Sequence, residues 1–215
     1  YLPWGTLINA LLGIIQKMAT LNGNVIDLMC GPGYLLGEIE KRRTDLILEG
    51  IDINTEFIHY AQTKNPQISF LVADILSWYP TRKYDLVLCT GAIHHLRYAD
   101  QASFLEMIPM CLNQNGVAIF ADPYIDDYFS ESGRKKAAAK LGYEYLIATI
   151  ENGAPEKLVD AMIDVLHNDV LGFEYKTSLV KIMPIFKRLF SMVAIKKTWP
   201  KYASNYGEYY IICHK

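Results

Sequence analysis

Apolar residues along the first half of this chain alternate between two periods. Leu7, Leu11, Ile14, Ile15 and Met18 recur three and four apart, which predicts an amphipathic helix over 7–21. Residues 25–29 then form a short, mostly apolar run carrying Asp27, read as a strand, and 34–41 return to helical spacing. "DLILEGIDI" at 45–53 predicts a second strand, and 55–63 a second helix with Asn54 or Thr55 at its N-cap. A third strand is expected at 68–72. "YDLVLC" at 84–89 is a fourth, apolar enough to be buried on both faces. A helix over 100–112, closing near Asn115-Gly116, leads into "GVAIFA" at 116–121 as the fifth. Strands separated mostly by helices imply right-handed crossovers and a parallel sheet covered on both sides. The rhythm changes at Pro123. Residues 124–188 read as mostly helical, with a Lys/Ala-rich turn at 134–140 and an acidic helix near 155–168. Strand patterns return at 189–197 and 209–214, close enough to pair antiparallel.

Composition narrows the class. At 215 residues and 51% hydrophobic, the chain suits one domain (1–215) with an elaboration better than two independent ones. A net charge of −2 gives no global electrostatic case for nucleic acid or an anionic membrane. Cys30, Cys89, Cys111 and Cys213 include no C-x-x-C pair, so neither a disulfide framework nor a zinc site is expected, and a reducing compartment fits. The apolar stretch 7–19 carries Asn9, Gln16 and Lys17 and is too short to span a bilayer; no basic segment precedes it. The expectation is a soluble cytoplasmic protein.

In a parallel sheet with helices on both faces, ligands sit beyond the C-terminal strand ends, near the point where strand order reverses. Acids gather there: Asp27 in strand one, Asp52 after strand two, Asp74 after strand three and Asp122 after strand five. One such acid is ordinarily a turn-former or helix cap; several on one edge point to a ligand. "VIDLMCGPGYLL" (25–36) adds Gly31 and Gly33 directly after the first strand. A dinucleotide fingerprint would need a third glycine where Leu36 stands, and Gly37 comes one place late.

"VIDLMCGPG" resembles the first motif of the class I S-adenosylmethionine-dependent methyltransferases. "GIDIN" resembles the acidic end of their second strand, "VADIL" their adenine-recognition segment, and "YDLVLCTGAIHHL" their fourth-strand motif. The likeness covers about 20–122, and the last two strand patterns fit the family's closing hairpin; 124–188 are not covered. The resemblance implies a Rossmann-like three-layer α/β sandwich: a mostly parallel seven-stranded sheet with an antiparallel C-terminal hairpin and a helical insertion between strands five and six. It implies S-adenosylmethionine as cofactor, with S-adenosylhomocysteine as product. Carried over position by position, Gly31 and Gly33 would admit the methionine moiety near a helix N-terminus, and Asp27 would receive its ammonium. Asp52 would accept the ribose hydroxyls and Ile53 would pack on the adenine. Asp74 would accept from the adenine amine, the Ile75 N–H would address a ring nitrogen, and Thr90 would border the sulfonium.

The sulfonium is an activated donor, so a base is needed only for a protonated acceptor. His94 and His95, just after strand four, are the candidate catalytic residues, with Asp122 and Tyr124 next; His59, His167 and His214 lie away from that edge. Cys30 and Cys89 read as buried fillers. No cluster with metal-ligand spacing is visible in the sequence, so no metal is expected. The N-terminal helix and the cover 124–188 should form the substrate side. The aromatics Tyr143, Tyr145, Phe173 and Tyr175 either line an apolar pocket or form the cover's own core. The expected function is methyl transfer to a small molecule, at oxygen or nitrogen before carbon. Seven basic residues between 176 and 201, with no acid among them, leave RNA or protein methylation as an alternative, and a non-catalytic cofactor-binding subunit as another. No nucleic-acid or membrane partner is expected, and a homodimer stays open. Acceptor identity is not written in the sequence.

Overall fold

The structure is a computed structural model that describes residues 2–172 and 174–215. Its elements are α1 (Leu2–Met18), β1 (Asn24–Leu28), α2 (Tyr34–Glu40), β2 (Ile47–Asp52), α3 (Thr55–Lys64), β3 (Ser69–Val72), β4 (Tyr84–Thr90), a 3-10 turn (Ile93–His95), α4 (Tyr98–Cys111), β5 (Leu112–Tyr124), α5 (Glu131–Glu151), α6 (Glu156–Leu171), α7 (Leu179–Leu189), β6 (Met192–Trp199) and β7 (Gly207–His214). One sheet holds the seven strands in the order β3-β2-β1-β4-β5-β7-β6. The first five are parallel, and β7 runs antiparallel to both β5 and β6. Strand order therefore reverses between β1 and β4, which opens a crevice beyond their C-terminal ends.

Two apolar layers sandwich the sheet. Leu7, Leu11 and Ile15 of α1 pack with Leu36 of α2 and Ile58 of α3 on one face. Phe104 and Ile108 of α4 join Ile182 and Phe186 of α7 on the other. β4 presents Val87 and Leu88 to opposite layers, both buried, as its unbroken apolar run requires. Each leucine of this kind contributes about 1.5–3 kcal/mol by leaving water. A third cluster, Ile125, Ala137, Leu141, Tyr145, Met162 and Tyr206, lies beneath α5 and α6.

Three local readings change. Residues 134–140 lie inside α5, not in a turn: lysine and alanine are strong helix formers, and Ser130 caps the helix by accepting the Gly133 N–H at 3.1 Å. β5 begins at Leu112, before Gly116, because Leu112 pairs with Tyr84 ahead of a register shift. The sixth strand starts at Met192 because α7, capped by Ser178 and anchored by Ile182 and Phe186, runs through Leu189. Of the two caps considered for α3, Asn54 serves, its side chain accepting from the Glu56 and Phe57 N–H groups. Among the described residues, no helix is long and apolar enough to cross a membrane.

Candidate functional site

The turn from β1 into α2 shapes one wall of the crevice. Gly31 (φ 54°) and Gly33 (φ 74°) both take left-handed backbone. A Cβ on Gly33 would come within 2.9 Å of the Phe70 ring and 3.0 Å of Ala61, so only glycine fits there. A Cβ on Gly31 would meet nothing within 4 Å; its open side faces the crevice. The turn is tied to the second strand by Asp52, whose Oδ2 accepts the Gly31 N–H at 2.8 Å while Oδ1 accepts that of Asn54 at 2.8 Å.

A cavity of about 730 Å³ occupies the crevice. Asp27, Gly31, Asp52, Ile53, Asp74, Ile75 and Thr90 all line it, so seven of the eight predicted cofactor contacts meet in one place. Gly33, the eighth, stands behind the wall as the residue preceding α2. Ile53 leaves 65% of its surface exposed, an apolar face on the cavity between Asp52 and Asn54. Asp74 turns the chain after β3, its Oδ1 accepting the Leu76 N–H at 3.0 Å. Asp27 Oδ1 and Thr90 Oγ1 are buried with no hydrogen-bond partner. Burial, with the Asp52 charge adding to it, pushes the Asp27 carboxyl up to about 7. Trp4 of α1, Phe57 and Leu96 complete the wall. Sequence reasoning assigned the first helix to the substrate side but singled out none of these three.

Of the four catalytic candidates, only His95 lines the cavity. His94 stands beside it, its ring centroid 4.2 Å from that of His95. Asp122 holds His94 twice, accepting its backbone N–H at 3.1 Å and meeting Nδ1 at 2.8 Å. That contact places the Nδ1 proton toward the carboxylate and leaves the Nε2 lone pair outward. Nε2 lies 3.6 Å from Glu174 Oε2, and His95 Nδ1 lies 2.8 Å from the same atom. Tyr124 is fully buried in the core away from the cavity, and burial raises its phenol far above the usual range. Glu174, 79 positions beyond His95, had no signal in the sequence. Its neighbour Tyr175 seats the segment by donating its N–H to His94 O at 2.7 Å.

Among the described residues, the cover's aromatics named above do not line the cavity. Tyr145 belongs to the cover's own core, Tyr143 is exposed, Tyr175 packs edge-on to Tyr98, and Phe173 lies outside the described residues. Four of the seven residues of the basic block have partners within the chain. Lys176 is buried against Asp169, Arg188 pairs with Glu106, Lys181 with Asp127, and Lys197 donates to the Tyr202 carbonyl.

A family model described as a methyltransferase domain matches residues 25–116, from β1 into β5. The stretch carries the glycine turn, Asp52, Asp74, Thr90 and both adjacent histidines on the strand order given above. Over residues 25–116, less than half of the chain, the sequence is similar to the methyltransferase domains of the class I S-adenosylmethionine-dependent type. Carboxy-S-adenosyl-L-methionine synthase of Campylobacter curvus is 29% identical over 116 residues, 52% of this chain and 49% of that protein. Trans-aconitate 2-methyltransferase of Methylobacterium radiotolerans is 32% identical over 92 residues, 43% of this chain and 35% of that protein. The matches thus span half or less of these relatives. The plantazolicin methyltransferase BpumL, solved with a monoazolic desmethylPZN analog and SAH, superposes with a TM-score of 0.67 at 14% identity, covering 98% of this chain and 85% of that one. That likeness is one of fold. The residues of the cavity fit S-adenosylmethionine: two unpartnered buried polar atoms, a glycine with open space beside it, and an exposed Ile53 next to the strand-end acid Asp52.

Proposed function

We propose that this protein is an S-adenosylmethionine-dependent methyltransferase acting on a small-molecule acceptor, at oxygen or nitrogen before carbon. The observation that carries the reading is the pair of buried, unpartnered oxygens, Asp27 Oδ1 and Thr90 Oγ1, in the cavity that Asp52 and Asp74 also line. Unsatisfied buried acceptors cost stability and persist where a ligand supplies their donors. When bound, the cofactor supplies a methyl group activated by its sulfonium. The chain's part is to hold and to align. Asp27 and the Gly31 backbone take the amino-acid end, with Gly33 setting the turn and Thr90 beside the sulfonium. Asp52 accepts from the ribose hydroxyls, Ile53 packs on the adenine, Asp74 accepts from its amine and the Ile75 N–H addresses its ring. His95 meets the acceptor at the rim and removes its proton where it carries one, while Asp122 fixes His94 behind it. Residues 124–188 form the acceptor side of a single domain. Trans-aconitate 2-methyltransferase among the relatives supports a small acceptor, and the internal partners of Lys176, Arg188, Lys181 and Lys197 speak against the basic block as an RNA surface.

Calorimetry tests the reading. S-adenosylhomocysteine should bind one to one, with no heat from NAD or ATP. Saturable NAD binding in its place refutes the proposal, and cofactor binding without turnover of any acceptor gives the non-catalytic subunit.

A further inference from the structure

We propose that His94, His95 and Glu174 form a site for one divalent transition-metal cation of the zinc type at the rim of the cavity. Three ligand atoms, one from each residue, lie within 4.8 Å of one another. His94 offers Nε2, His95 offers Nδ1 and Glu174 offers Oε2, with two of the three separations at 3.6 and 2.8 Å. Zinc bonds of about 2.0–2.1 Å in a tetrahedron set their ligand atoms about 3.3 Å apart. These two separations bracket that value, and the third lies within the 4.8 Å bound. Two imidazoles and one carboxylate are a donor set suited to zinc and its first-row neighbours, with a fourth position left for water or substrate.

Three further features belong to a ligand site more than to a surface ion pair. Glu174 Oε2 is buried between the two rings, 2.8 Å from His95 Nδ1 and 3.6 Å from His94 Nε2, so one carboxylate oxygen faces a nitrogen of each. Asp122 orients His94 from its far nitrogen, the carboxylate–histidine arrangement that fixes a metal-binding tautomer. The loop that delivers Glu174 is braced from below: Lys176 is buried against Asp169, and Gln101 Nε2 donates to the Tyr175 carbonyl at 2.9 Å. His95 also lines the large cavity, so a cation here would face it. Resting on the methyl-transfer reading, its use would be to take an acceptor oxygen as a ligand and lower the pKa of its hydroxyl. His95 would then act through the cation and not as a free base.

The test uses zinc alone on the full chain, freed of metal by a chelator and with no cofactor added, so it is independent of the cavity's own ligand. Calorimetry should show one saturable equivalent of zinc. His95→Ala, at an exposed position that leaves the core intact, should weaken binding about 100-fold or more. Glu174→Gln should do the same. Asp122→Asn should cost about 10- to 100-fold by loosening His94. His59→Ala, an exposed histidine elsewhere, should bind like the unaltered protein. Absence of saturable zinc binding, or equal binding by the His95→Ala and Glu174→Gln variants, overturns the proposal and leaves a histidine–carboxylate ion pair. Loss of S-adenosylhomocysteine binding with zinc binding intact overturns the methyl-transfer reading alone.

Discussion

Asp27 should cost this protein stability at neutral pH, and its replacement should reveal the cost. Its carboxyl titrates near 3.8 in an unfolded chain and is pushed up to about 7 in the fold, chiefly by burial and further by Asp52. Between those values the native state holds a proton that the unfolded state has released, so stability falls as pH rises through the window. At about 1.4 kcal/mol per unit, the full penalty is on the order of 4 kcal/mol above pH 7, of which about 3 kcal/mol develops between pH 5 and 8.5. Asp27→Asn keeps the shape and removes the titration. The comparison is urea unfolding of both proteins, without ligand, at pH 5, 7 and 8.5. Since the amide adds its own constant offset, the quantity to read is how the difference between the two proteins changes with pH. The variant should gain on the unaltered protein as pH rises, by about 3 kcal/mol over the range, and then level off. The same variant should bind S-adenosylhomocysteine more weakly, having lost the carboxylate that faces the ammonium. A stability difference flat from pH 5 to 8.5 would refute the argument, because it would mean that Asp27 is ionised in the fold at no cost.

Three further outcomes follow from the site. Asp52→Ala should weaken S-adenosylhomocysteine binding by about 1–3 kcal/mol in calorimetry, through loss of a charged acceptor and of the Gly31 N–H contact; unchanged affinity would remove the ribose assignment. Gly33→Ala should lower the melting temperature and impair cofactor binding together, because φ 74° and the Phe70 ring both oppose a Cβ. In metal-free protein, the NMR titration of His95 should lie above the ordinary 6.5, since Glu174 favours the imidazolium against burial. Glu174→Gln should bring it down, and a titration that does not move would show that the two groups do not meet in solution.

The lining of the cavity was legible in the sequence because its residues sit at strand ends, and strand ends are what apolar periodicity locates best. Asp27, Asp52, Asp74 and Thr90 each follow or close a run of apolar residues, and a parallel sheet necessarily brings such ends to one side. Ile53 and Ile75 came with them as next neighbours. The arrangement of the cover was not legible, and its elements show why. The cover is built from helices whose apolar faces meet one another, so Tyr145 reads the same in sequence whether it packs under α6 or lines a pocket; the fold sends it to the cover's core. Among the described residues, its contacts with the histidines come from a loop. Glu174 follows α6 with no period to mark it, and its position depends on Tyr175 bonding to His94 and Lys176 pairing with Asp169. The first of these joins segments about eighty residues apart, and such a pairing leaves no trace in local spacing. Hence the sequence could offer His94 and His95 as candidates but not the carboxylate between them. That carboxylate joins two adjacent histidines into a set of three donors whose atoms lie within 4.8 Å of one another.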